Sequence, residues 1–211
     1  GIDSSVSSTL SAMTGLKTIV LTMPIKQITN QHDLSIQHRD WLKKKFKNVE
    51  AHTIELDDLF NSFKLKLSKF DNDHGMANSR ARIRMTTLYQ VASANNGIVV
   101  GTGNKVEDFG VGFYTKYGDG GVDISPLADC TKTEIWELGR ELGITKKIID
   151  AQPTDGLWDD GRTDEGQLGL TYQELEEAMN NENSKNRKKY LEIRKLNLHK
   201  MNSIPVCKIP K

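Results

Sequence analysis

The chain has 211 residues, 36% hydrophobic and 27% charged, which is enough apolar material for one sizeable core. Its formal net charge of +1 supplies no general basic field, arguing against wholesale nucleic-acid binding, and no apolar run approaches the roughly 18 residues a bilayer span needs. Cys130 and Cys207 lie far apart without metal-ligand spacing and are expected as free thiols in a reducing, cytoplasmic setting.

In chain order, residues 3–14 place Val6, Leu10 and Met13 on one helical face, with Gly15 as the stop. Leu16 to Met23 then reads as a strand ended by Pro24. Asp3, Ser4, Ser5 and Ser7 crowd the first turn, where backbone amides lack intrahelical partners. They are either ordinary caps or a phosphate site in which Asp3 recruits a divalent cation. Leu34, Trp41, Leu42 and Phe46 suggest a helix whose Lys43, Lys44, Lys45 and Lys47 face solvent. Val49 to Leu56 reads as the next strand, Asp57 as the cap of a short helix containing Leu59, Phe60 and Phe63, and Lys64 to Gly75 as a mobile connection. Ala77 to Asn95 is a long helix with Ile83, Met85, Leu88, Val91 and Ala92 inward. Arg80 and Arg84 share a face of it that Arg82 does not.

Residues 97–143 hold most of the chemically useful side chains. Ile98, Val99 and Val100 suit a strand buried on both faces of a parallel sheet, and Thr131-x-x-Glu134 is a capping box opening a helix over Ile135, Leu138 and Leu142. The connection between them is rich in glycine and in both signs of charge. Fixing such a segment costs roughly 1–2 kcal/mol per residue, so a ligand site is the expected use, at the carboxyl end of a parallel strand. Residues 150–169 form a second polar loop, and Thr171-x-x-Glu174 caps a further helix with Tyr172, Leu175 and Met179 inward. Lys185, Arg187, Lys188, Lys189, Arg194, Lys195 and Lys200 make the tail basic, either as a solvated helix face or as an attraction for an anionic ligand. The order of elements argues one three-layer α/β/α domain with a parallel sheet.

The segments NSRARIRM, VVGTGNKVE, FYTKYGDGGVDISPLADCTKTE, PTDGLW, TDEGQLGLTY and the HK at 199–200 together resemble the ammonia-dependent NAD synthetases. These sit within the ATP-pyrophosphatase superfamily, whose first loop reads SGGxDS, and Gly1-Ile2-Asp3-Ser4 looks like the second half of that loop. The likeness runs over essentially the whole chain. It implies an adenine nucleotide alpha hydrolase-like fold over residues 1–211, lacking the N-terminal helix and first strand. It implies that Asp3 and Glu107 hold Mg²⁺, and that Gly1, Ser4, Thr102, Lys132 and Thr154 contact ATP. Arg82, Lys116, Asp123, His199 and Lys200 would contact deamido-NAD, with Lys132 and Asp123 as the catalytic pair and Asp119 or Asp123 as a base toward ammonium.

The implied reaction adenylates the nicotinate carboxylate and lets ammonia displace AMP, giving NAD. A homodimer is implied, with the helix over 77–95 as its interface. Lys132 opens a helix, where the dipole disfavours a cation, and that misfit points to function. Its removal is expected to lower adenylation far more than stability. The rival readings are another ATP-pyrophosphatase, such as a GMP synthetase-like enzyme, and a non-catalytic nucleotide-binding homologue.

Overall fold

The computed structural model describes residues 1–26, 29–158 and 160–210. Asp159, part of the second polar loop expected from the sequence, lies outside them. The protein is an α/β/α layered domain built on parallel strands. Helix α1 (Ile2–Met13) leads into β1 (Thr18–Thr22), α2 (Thr29–Lys45) crosses over, and β2 (Val49–Thr53) pairs in parallel with β1, Thr18 opposite Val49. This is a βαβ unit, the connection that parallel strands require. There follow α3 (Asp57–Lys66), a 3₁₀ turn at Ser68–Phe70 and the long α4 (Asp73–Ala94). A π-helical turn spans Lys105–Val111, after which come α5 (Lys132–Glu141), α6 (Lys146–Ile149), α7 (Asp164–Leu168), α8 (Tyr172–Asn180) and α9 (Arg187–Met201).

Both capping boxes form as their spacing dictates. The Thr131 and Thr171 hydroxyls accept from the Glu134 and Glu174 amides, and each glutamate accepts in return from its threonine amide. Gly143, at φ +77°, lets the chain turn away after α5.

Several expectations are corrected. Leu56, not Asp57, is the N-cap of α3, because the Asp57 carboxylate is taken by the Lys26 amide at 2.6 Å. The segment expected as a mobile connection is largely ordered: α3 runs to Lys66, and Asn72 caps α4 by accepting from the Gly75 amide at 2.7 Å. The most buried residues of α4 lie in its first turns, at Met76, Ala77, Arg80 and Ala81, while Ile83, Met85, Leu88, Val91 and Ala92 are half-buried. Met13 faces outward from α1. Among the described residues Ile98–Val100 makes only one parallel bridge, Val100 with Ile124, and Ile98 is 59% exposed.

Among the described residues three apolar clusters hold the layers together. One joins α1 to α5 and α6 through Ile2, Val6, Ile135, Ile144 and Ile148. Another sets Phe60 of α3 beside Met76 of α4. The third packs Tyr172, Leu175 and Ala178 of α8 against Val106 and Val111 of the π turn and Tyr190 of α9.

The basic tail is not simply a solvated face. Arg194 donates to the carbonyls of Phe109 and Gly110, Lys200 to those of Gly112 and Tyr114 at 2.9 and 2.7 Å, and Asn197 to that of Val111 at 3.0 Å. Helix α9 thereby clamps the end of the π turn. Gly112 closes that turn at φ +69°, where an added Cβ would sit 2.5 Å from Asn197 Cβ. Replacing Gly112 by alanine combines left-handed strain with overpacking and is expected to cost about 2–4 kcal/mol, read as a shift of the urea midpoint.

Candidate active site

Four segments distant in sequence meet around one ammonium group. Lys132 at the start of α5 is 1% exposed, and its Nζ donates to Asp3 Oδ2 at 2.6 Å and to Glu107 Oε1 at 2.9 Å. Asp3 comes from the first turn of α1 and Glu107 from the π turn. The Tyr172 ring lies under the same Nζ at 4.8 Å, a placement that favours a cation. Burial opposes the charge on Lys132, yet Glu107 and Asp3 outweigh it and hold the ammonium above its ordinary pKa.

Asn104 organises the other side of the cluster. It is fully buried, donates to Asp3 Oδ1 at 3.0 Å, and accepts from the Val106 and Glu107 amides at 3.0 and 2.9 Å. One side chain therefore caps the turn that carries Glu107 and orients Asp3. Tyr172 donates its phenolic proton to Glu107 Oε1 at 2.5 Å. The phenol has no second proton, so its 3.3 Å contact with Asp164 Oδ2 is satisfied only when Asp164 is protonated. Burial and the neighbouring Glu107 push the Asp164 carboxyl up to about 7, and its Oδ1 is buried with no hydrogen-bond partner among the described residues. Burial, Asp119 and Glu107 likewise push Asp108 up to about 8, and burial raises Asp119. Around Lys132 the site carries more carboxyl groups than ammonium charge, an arrangement suited to further cations.

Asp3 and Glu107 converge within 3 Å of one cationic atom, so the donor set fits a hard divalent ion. No three His, Cys, Asp or Glu side chains among the described residues form a metal-holding group. Mg²⁺ is commonly held by one or two carboxylates, with water and phosphate oxygens completing its shell.

The other residues singled out in the sequence do not gather in one place, and the groove that takes in Gly1, Ser4, Thr102 and Thr154 is not lined by Asp3, Glu107 or Lys132. Gly1 and Ser4 are at the exposed start of α1, and the Ser4 hydroxyl donates to the Gly1 carbonyl at 3.0 Å. Ser5 and Ser7 are not open to a phosphate: Ser5 donates to the Gly1 carbonyl, and Ser7 pins α1 to the Gly101 carbonyl at 2.8 Å. Thr102 and Thr154 line one large groove beside Ser4.

A second group forms at the α4 face. Arg82 reaches the Lys116 carbonyl at 3.4 Å and Lys116 Nζ reaches the His199 carbonyl at 2.7 Å, next to Lys200. Asp123 belongs to neither group. Its carboxylate accepts from the Val99 amide at 2.7 Å and from the Tyr89 hydroxyl at 3.1 Å, which occupies both oxygens in holding the Val99 segment. Both cysteines are free thiols.

Sequence reasoning missed Asn104 and Asp164. Asn104-x-x-Glu107 is a helix-start pattern that would have flagged the first. Asp164 looks like an ordinary first-turn acid, and nothing in its neighbours announces Tyr172.

Behind α1, His38 is 8% exposed and its Nε2 lies 3.0 Å from the Ser8 hydroxyl. Burial, with the Gly1 ammonium a smaller cause, lowers its pKa to about 4. Folding therefore favours the neutral ring. The unfolded chain binds the extra proton first, so stability falls as pH drops from the ordinary histidine range, near 6.5, toward 4. The full loss is at most about 3 kcal/mol. Urea titrations between pH 7 and 4 should show a steeper acid loss in the parent than in His38→Gln; parallel curves would contradict it.

Comparison with known proteins agrees over nearly the entire chain. The NAD synthase family model matches residues 1–209. The chain is 36% identical over 212 residues to the NH(3)-dependent NAD(+) synthetase of Methanosarcina acetivorans, covering 97% of this chain and 80% of that protein. It is 43% identical over 133 residues to the protein of the same name from Carboxydothermus hydrogenoformans, covering 61% of this chain and 54% of that one.

Among solved structures, the NMN synthetase from Francisella tularensis superposes with a TM-score of 0.90 at 32% identity, covering 99% of this chain and 86% of that one. The NH3-dependent NAD synthetase from Campylobacter jejuni shares the fold, with a TM-score of 0.75 at 24% identity over 99% of this chain and 86% of that one. With its acidic centre assembled around Lys132 and the family model matching residues 1–209, the chain belongs to the NAD synthase family.

Proposed function

We propose that the chain catalyses the ATP-dependent amidation of deamido-NAD with ammonia, giving NAD, AMP and pyrophosphate, the last step of NAD formation. The observation that carries this reading is the buried Lys132 ammonium held jointly by Asp3 and Glu107, in a chain matched throughout by its family. A carboxylate resists amidation because its charge repels nucleophiles and oxide leaves poorly. Attack of the nicotinate carboxylate on the α-phosphorus of ATP releases pyrophosphate and makes AMP the leaving group. Ammonia then adds to the acyl carbon and AMP departs.

Lys132 would neutralise phosphate charge during the first step, the electrostatic contribution that dominates such transfers. Gly1, Ser4, Thr102 and Thr154 would border the ATP, while Arg82, Lys116, His199 and Lys200 would face deamido-NAD. Asp3 and Glu107 would hold Mg²⁺, which supplies charge neutralisation on the polyphosphate. Asp119, whose carboxyl pKa is raised by burial, or Asp123 would act as the base toward ammonium. Cys130 is a poor candidate for glutamine hydrolysis, since burial raises its thiol pKa. No described helix is long and apolar enough to cross a membrane, in keeping with aqueous substrates. A cytoplasmic homodimer with α4 at its interface completes the reading.

A second reading is supported by the likeness to an NMN synthetase at a TM-score of 0.90: the same chemistry applied to nicotinate mononucleotide. One assay separates the two. The protein with ATP, Mg²⁺ and ammonium is given deamido-NAD or the mononucleotide, and AMP and amide product are measured. Faster turnover of deamido-NAD supports the first reading, faster turnover of the mononucleotide the second, and equal activity with glutamine in place of ammonium would overturn the assignment of the nitrogen donor.

A further inference from the structure

Lys132 opens α5, an awkward place for an ammonium, because the first amides of a helix lack partners within it and carry partial positive charge. In α5 the Thr131 hydroxyl takes the Glu134 amide at 3.3 Å, and the Thr131 carbonyl takes the Ile135 amide at 3.0 Å. The Thr133 amide, next to Lys132, is served from another helix. It donates to Glu176 Oε1 of α8 at 3.0 Å, and the Thr133 hydroxyl donates to Oε2 of the same carboxylate at 2.7 Å.

A grip through two oxygens fixes more than one bond would. A single contact leaves the first turn free to swivel about it, whereas two set both its height and its rotation. A cap drawn from the same turn, such as Thr131, moves with its helix and cannot hold it against the rest of the site. Glu176 can, because it lies 43 residues from Thr133 in sequence and rides on α8.

The same face of α8 holds the far end of the Lys132 side chain. Tyr172 lies four residues before Glu176, which stacks the two on one side of the helix, and its ring sits 4.8 Å from Lys132 Nζ. Helix α8 thus supports Lys132 at the backbone through Glu176 and at the ammonium through Tyr172. Against burial, Glu107 and Asp3 keep that ammonium charged, so what is left to Glu176 is where the charge stands. Position matters because a preorganised group loses much of its effect on a transition state when it is displaced by about 1 Å.

We propose that Glu176 is a positioning residue for Lys132: by gripping the Thr133 amide and hydroxyl it sets the first turn of α5 so that the ammonium meets Asp3 and Glu107. The catalytic consequence rests on the amidation reading above, while the geometric one does not. Two readouts therefore run side by side.

The first is kcat and KM for AMP formation from ATP, Mg²⁺ and ammonium with deamido-NAD or nicotinate mononucleotide, at a temperature where urea titration shows each variant folded. Glu176→Ala is expected to lower kcat about ten- to a hundredfold, with KM for ATP changing less than about threefold. Glu176→Gln, which keeps the size and one acceptor, should lose less, and it stands in for the alanine variant if that one does not fold. Thr133→Val removes only the hydroxyl bond and should also lose less. Combined with Glu176→Ala it should be no slower than Glu176→Ala alone, since both changes release one grip.

The second readout needs no activity. Lys132 acetylation by acetic anhydride is followed by mass spectrometry against the exposed Lys43 and Lys47 of α2, and in Glu176→Ala, or Glu176→Gln in its place, it should speed up about fivefold or more. A parent chain that makes no AMP from either nucleotide would fail the amidation reading and leave the acetylation to decide the geometry. Parent-like kcat per folded molecule in an active enzyme, losses that multiply in the double variant, or unchanged Lys132 acetylation would each overturn the proposal.

Discussion

Replacing Lys132 by alanine is expected to reduce AMP formation about a thousandfold or more and also to destabilise the fold. The first effect follows from the task proposed for the ammonium, since removing one preorganised charge from a phosphoryl-type transfer typically costs two to five orders of magnitude. The second follows from burial. Lys132 is 1% exposed and is shared by Asp3 and Glu107, so truncation leaves two carboxylates facing each other. Breaking a buried pair by deleting one partner costs about 3–5 kcal/mol, softened where a carboxylate can take up a proton.

This revises the expectation from sequence that activity would suffer far more than stability. The separating measurement is a urea titration of Lys132→Ala at pH 5 and pH 8, run beside the AMP assay. Protonation at the lower pH should return part of the lost stability and none of the rate. An unchanged rate of AMP formation would remove Lys132 from the chemistry.

Tyr172→Ala is expected to cost about 3–5 kcal/mol, in the range found when a buried aromatic side chain is cut back to a methyl group. Tyr172 is fully buried, packs edge-on against Trp136 with ring centroids 5.8 Å apart, and sits in the cluster that joins α8, α9 and the π turn. Tyr172→Phe separates packing from hydrogen bonding. It keeps the ring but removes the proton given to Glu107 and strands the already underpaired Asp164. A loss of about 1–3 kcal/mol is expected from this smaller change. The thermal midpoints of the two variants should therefore fall in the order parent, Phe, Ala. If Phe and Ala were equally destabilised, the ring packing would count for nothing and the cluster would need another explanation.

What the sequence revealed, and what it hid, divides by the range of the forces involved. The capping boxes at Thr131 and Thr171 were legible because donor and acceptor lie three residues apart. The parallel βαβ unit was legible from alternating apolar runs. The π turn at Lys105–Val111 was not, because it is fixed by Asn104 from within and by α9 from outside. The arginines and lysines of α9 were open to two readings, and their acceptors are main-chain carbonyls of a distant segment that carry no signature in a side-chain pattern. Asp3, Glu107 and Lys132 were singled out through family likeness. The structure adds that they touch, and that Asn104, unnoticed in the sequence, holds two of the three elements in register.

The clamp of α9 on the 109–114 backbone has a consequence for how this protein fails. Glu107 belongs to the same turn whose far end is fastened by Arg194, Asn197 and Lys200. Clipping the connection after α8 would release that fastening without touching β1, β2 or α4. Such a nicked molecule would keep most of its circular dichroism while losing the activity proposed above, so inactivation by protease should run ahead of unfolding.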